Sequence, residues 1–199
     1  MKFLLPLLAA GIILARLSSA TPVFGFDSNG GALTGIPGGT VGWGFTISDS
    51  SEYVVVSETG FCAAGATVSD LPCTNPSGTY TDFSFNIPVV GPSPDSPSVT
   101  QGFDLASQLG YGSFTIGSGV TSGTVLIGEI AVVYDLFTGD PSSDPNATQI
   151  GGDNFTSLPA SISVSDAATV PEPGTLMATA LTLCGIGLWR ARRRFARLS

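Results

Sequence analysis

Val41-Gly42-Trp43-Gly44-Phe45-Thr46-Ile47 places a large apolar side chain at every second position, with glycine or threonine between. A period of two marks a strand with one buried face, because successive side chains on extended backbone point to opposite sides. The same alternation predicts strands at Phe83, Phe85 and Ile87, at Phe114 and Ile116, and at Ile162 and Val164. The longest candidate runs from Thr124 to Phe137, with Ile130, Val132, Tyr134 and Leu136 on one face. Val125 and Ile127 share its other face with Glu129 and Val133, which predicts burial on both sides at one end or a bulge near Gly128. Tyr53 to Ser57 and Ser98 to Leu105 bring the total to roughly eight strands, enough for two packed sheets. The prolines of Val90 to Pro97 remove ladder donors and predict a loop. No segment of the body carries a helical stripe, so the expected fold is mainly β, an antiparallel β-sandwich or jelly-roll-like body over residues 21–168.

Charge is segregated along the 199 residues, which carry a net −8. Lys2 and Arg16 lie at the start, and Arg190, Arg192, Arg193, Arg194 and Arg197 at the end. Between Thr21 and Val170 there are 14 acidic residues and no basic one. The body's carboxylates must therefore be solvated, hydrogen-bonded to local donors, or met by cations from elsewhere. Nucleic acid is excluded as a partner, since phosphate binding depends on clustered Lys and Arg. With no His anywhere, Ser-His triads, zinc proteases and His general bases are excluded as well.

The two ends read as targeting segments. Lys2, an apolar run from Phe3 to Ala15, and small residues at Ser18 and Ala20 predict a signal peptide over residues 1–20, with Thr21 the first mature residue. At the other end, Val170-Pro171-Glu172-Pro173-Gly174-Thr175 is followed by an apolar stretch to Trp189 and then by the arginine cluster. As a helix, residues 175–189 would span roughly 22 Å, short of the ~30 Å hydrocarbon core, so insertion relies on arginines that snorkel to the interface. The arginines favour the cytoplasmic side. The prolines flanking Glu172 keep that segment extended and outside the helix, where an enzyme can grip it.

This succession of motif, short span and basic end resembles the PEP-CTERM sorting signal, over residues 169–199. The resemblance implies an exported protein of a Gram-negative bacterium that makes extracellular polysaccharide. It implies an exosortase-type membrane peptidase as partner, recognition at Val170, Pro171, Glu172 and Pro173, and a basic tail formed by Arg190, Arg192, Arg193, Arg194 and Arg197. The implied route runs through the inner membrane to the cell surface or exopolysaccharide matrix. The β-rich bodies often attached to this signal share no common activity.

Cys62 and Cys73 enclose ten residues, and in an exported chain the simplest expectation is a disulfide. Asp140, Ser142, Asp144 and Asn146 place oxygen ligands at alternate positions, which makes calcium at Asp140, Asp144 and Asn146 a candidate. Pro145 and Gly151 rule out an EF-hand there, and ordinary turn chemistry is the competing reading. No other cofactor and no catalytic constellation is expected. The leading functional expectation is a structural or interaction module of the cell surface. The alternative is a carbohydrate-binding module that stacks sugars on Trp43, Tyr53, Tyr80 or Tyr111, and behind it a glycoside hydrolase using a carboxylate pair such as Glu58 and Glu129.

Overall fold

The computed structural model describes residues 21–27, 30–48, 51–66, 71–92, 95 and 97–166. The expected signal peptide, the expected sorting motif, the expected span 175–189 and the arginines at 190–197 lie outside these residues. Among the described residues, no helix is long and apolar enough to cross a membrane.

The described chain is mainly β. In order it forms β1 (Val23–Phe26), β2 (Ala32–Gly35), β3 (Thr40–Trp43), β4 (Phe45–Ser48), β5 (Tyr53–Ala63), β6 (Gly78–Asp82), a 3-10 turn (Ser84–Asn86), β7 (Ser98–Gln101), β8 (Gly112–Ile116), β9 (Val125–Phe137) and β10 (Gln149–Val164). Three sheets result, ordered β1-β4-β7, β2-β10-β9-β5 and β3-β8-β6. Every strand pair is antiparallel except β2 with β10, which run parallel with Ala32 opposite Ser161 and Gly35 opposite Val164. A parallel pair needs a long connection, and here nearly the whole body forms it.

The opening stretch behaves differently from a single strand. It breaks at Gly44, so that β3 pairs with β8 while β4 pairs with β1 and β7. A Cβ at Gly44 would lie 2.5 Å from the Asp27 carboxylate and 2.6 Å from the Gln101 carbonyl, so only glycine lets the chain cross between sheets here. The buried phase survives the break, with Trp43, Phe45 and Ile47 all at most 1% exposed.

All three sheets contribute to one core. Phe61 of β5 packs against Trp43 of β3 (ring centroids 4.9 Å apart) and against Phe114 of β8 (5.1 Å, edge-on). Phe24 of β1 meets Tyr134 of β9 at 4.8 Å, and Phe45 of β4 meets Tyr111 at 5.3 Å. Leu126, Ile130, Val132, Ile162 and Val164 complete the four-stranded sheet's inner face. Offset and edge-on ring pairs of this kind add about 0.5–1.5 kcal/mol each beyond the area they bury.

Several expectations are corrected. Phe83, Phe85 and Ile87 do not form a strand: Phe83 is buried, Ser84–Asn86 turn as a 3-10 helix, and Phe85 is 69% exposed. The Asp82 carboxylate accepts the Ser84 N–H, and this local bond turns the chain where alternation alone would extend it. The strand beginning at Ser98 stops at Gln101, because Asp104 caps the following turn through the Ala106 and Ser107 N–H groups. Gly128 pairs in register with Ala63 and Ala160, and the irregularities fall instead between Val56 and Glu58 and between Gln149 and Asn154. Val125 and Ile127 are exposed, whereas Ala131 on the same face is fully buried.

Candidate functional site

The residues with the strongest sequence signal, Val170 to Pro173 and the five arginines, fall outside the described chain. The body that precedes them is closed off at its end. Val164 donates to Thr124 and accepts from Gly123, and Ser165 donates to Gly35, at 2.7–2.8 Å. Four residues separate Ser165 from Val170.

Within the body, the chemistry concentrates where β5 meets β6. Cys62 and Cys73 are joined (S–S 2.08 Å, Cα–Cα 5.3 Å), and the bond ties the segment from Leu71 to Cys73 over the outer face of β5. Leu71 lies directly over Gly60, where a Cβ would come within 2.4 Å of its side chain. Gly60 is paired with Ala131, which explains why β9 is buried on its outer face at this point. Between the tied segment, β5 and β6 lies a cleft of about 310 Å³, lined among others by Glu58, Pro72, Thr74, Asn75, Tyr80 and Asp82.

The cleft floor is a hydrogen-bonded network. Thr59, 2% exposed, shares a hydrogen bond with the Tyr80 hydroxyl (3.0 Å) and has both the Tyr111 carbonyl (2.6 Å) and the Asp82 carboxylate as acceptors. A hydroxyl has one proton, so the Tyr80 O–H is the donor to Thr59, whose own proton serves Asp82 or Tyr111. Asp82 also accepts the Ser84 N–H (2.8 Å) and hydroxyl (2.9 Å). Burial pushes the Tyr80 phenol far above its ordinary value, opposed by the Thr59 hydrogen bond and reinforced by the Asp82 charge, so it stays a neutral donor. Thr59→Val keeps the shape and removes the acceptor of the enclosed Tyr80 hydroxyl. The expected loss is about 1–3 kcal/mol in a urea unfolding experiment, and an unchanged midpoint would show the network to be energetically idle.

No sequence pattern brings Thr59, Tyr80 and Asp82 together as a network. The signal was a threonine in the buried phase of β5, but nothing in the pattern says that β5 lies beside β6.

The aspartates of the calcium candidate accept hydrogen bonds from local donors. Asp140 accepts the Ser142 N–H (2.8 Å) and hydroxyl (2.6 Å) and the Ser143 hydroxyl (3.0 Å). Asp144 accepts the Asn146 N–H at 2.9 Å. The Ser142 bonds, with help from Ser143, hold the Asp140 carboxyl below its ordinary value. These are turn-forming bonds of a solvated hairpin loop. Among the described residues, no group of three or more Asp, Glu or Cys is gathered to hold a metal ion.

Two of the four aromatic stacking candidates are interior. Trp43 and Tyr111 are at most 1% exposed; the Trp43 indole N–H donates to the Gly31 carbonyl and the Tyr111 hydroxyl to the Gly25 carbonyl. Tyr53 is tied by its hydroxyl to Asp95 at 2.5 Å, and Tyr80, half-buried, lines the cleft. Glu58 lies opposite Val133 and Glu129 opposite Cys62. Four residues of β9 therefore separate the two positions, about 13 Å between Cα atoms along the strand.

Compared with protein-family models and with curated proteins, the chain has no match.

Proposed function

We propose that this chain is an exported protein, sorted through its C-terminal segment, whose body serves as a structural or interaction module at the cell surface or in an exopolysaccharide matrix. The observation that carries the reading is the order of elements at residues 170–197: Pro171-Glu172-Pro173, a short apolar stretch, then Arg190 to Arg197. An exosortase-type peptidase would grip the extended motif while the arginines hold the stretch in the inner membrane. Two features of the body accord with export. Its cysteines are paired, which suits an oxidising compartment, and its uncompensated negative charge favours solubility and resists self-association.

The reading extends to the architecture. The body is a β-sandwich of jelly-roll-like character, with β2-β10-β9-β5 as one layer and β3-β8-β6 beside β1-β4-β7 as the other. The ring contacts from Phe61 to Trp43 and Phe114 support this arrangement.

The test follows tail-tagged precursor and mature protein in fractionated cells of an exosortase-bearing host, with an exosortase-null strain alongside. Glu172→Ala should leave export and folding intact and cause the larger precursor to accumulate in the inner membrane. Deleting residues 190–197 should release precursor unprocessed. Identical processing of wild type and Glu172→Ala in both strains would make the tail a plain anchor and refute the reading.

A carbohydrate-binding role is the second reading. The cleft beside β5 favours it, whereas the buried aromatics do not.

A further inference from the structure

We propose that the cleft between β5, β6 and the disulfide-tied segment binds an amine-bearing sugar unit of a polysaccharide, with Glu58 receiving the ammonium group. This deepens the matrix reading and rests on it only in taking a polysaccharide as the carrier of the amine.

Size sets the first limit. At about 310 Å³ the cleft lies at the lower end of small-ligand pockets, suited to a sugar ring and too small for a folded partner. Its lining sets the second. Pro72 and the half-buried Tyr80 offer apolar surface to a sugar ring, while Thr74 and Asn75 offer hydroxyl and amide groups to ring hydroxyls. This is the usual division of a small-ligand pocket, with apolar walls and a few placed polar groups.

Charge then selects among sugars. Asp82 is already held by Thr59 and Ser84, which orients it and leaves it a fixed negative group at the cleft wall. Glu58 takes no part in that network and faces the same cleft. No Lys or Arg exists between residues 21 and 170, so the body itself supplies no counter-charge to this pair. An acidic sugar would meet 14 like charges on the body. A bare divalent ion needs several oxygen ligands converging on one point, and among the described residues no acidic group of three is so placed. An ammonium carries three donors, and one carboxylate with neighbouring hydroxyls satisfies them.

The test is titration calorimetry on the full chain in detergent, near neutral pH, with a short glucosamine oligomer bearing free amines and its fully N-acetylated counterpart. The free-amine oligomer should bind one per chain and the acetylated one much more weakly. Glu58→Gln should weaken binding roughly tenfold, whereas Glu129→Gln, which removes the same charge outside the cleft, should leave it within about twofold. Circular dichroism of both variants controls for folding. Absence of binding, equal binding of the acetylated oligomer, or equal weakening by the two variants would overturn the proposal, the last by showing diffuse attraction to an acidic surface. These outcomes are independent of tail processing, which the Glu172→Ala comparison reads separately.

Discussion

Phe61→Ala should cost about 3–5 kcal/mol, a large part of the stability of a domain this size. The ring is fully buried and lies between Trp43 and Phe114, so truncating it opens a cavity bounded by two other aromatic rings of a facing sheet. Those rings are themselves held. Trp43 donates to the Gly31 carbonyl, and Phe114 sits in mid-strand between β3 and β6, so neither can collapse far into the space. Phe85→Ala is the control: at 69% exposure it should change stability by no more than about 0.5 kcal/mol. Urea unfolding of the two variants checks both, and a Phe61→Ala loss below about 1 kcal/mol would mean that the sheets do not depend on this contact.

Removing the disulfide should rank next. Cys62 and Cys73 are 11 residues apart, and closing a loop of that length restricts the unfolded chain by about 3 kcal/mol in the chain-entropy account. The native state loses something too, because the bond keeps Leu71 over Gly60 and so shields Ala131 from water. The double variant Cys62→Ala with Cys73→Ala should therefore unfold at a lower urea midpoint. Amide exchange around residues 71–75 should quicken well before that of β9. Equal protection of the two regions in the variant would show that the segment holds its place without the bond.

The two predictions differ in how far the sequence anticipates them. The cysteine pair was legible because two thiols close in sequence, with no imidazole anywhere, have few partners other than each other. Phe61 was not. Alternation predicts a strand only from Tyr53 to Ser57, whereas β5 continues to Ala63 through an irregularity between Val56 and Glu58 that shifts the alternation by one. An extra residue inverts which side chains point inward, so a strict period of two loses the strand at that point. The candidate site shows the same limit. No spacing in the sequence singles out Glu58 with Glu129, and only the register shows them four residues apart along β9, while Thr59, Tyr80 and Asp82 come together from segments with no shared pattern.

What the amino-acid sequence determined by itself is local: the mainly β character, the buried phase of Trp43, Phe45 and Ile47 and of Ile130, Val132 and Tyr134, the cysteine pair, and a body with carboxylates and no cations. Each follows from side chains within a few residues of one another, since alternation and charge are properties of the chain before it folds. Only the tertiary structure decided that one alternating stretch would divide at Gly44 between two sheets, that β2 would join β10 in parallel, and that Ala131 would be covered while Ile127 remained open. Alternation states which face is hidden and is silent on what hides it. A strand's neighbour is chosen by backbone hydrogen-bonding groups, which every residue but proline carries alike, and by packing against residues far away in the chain.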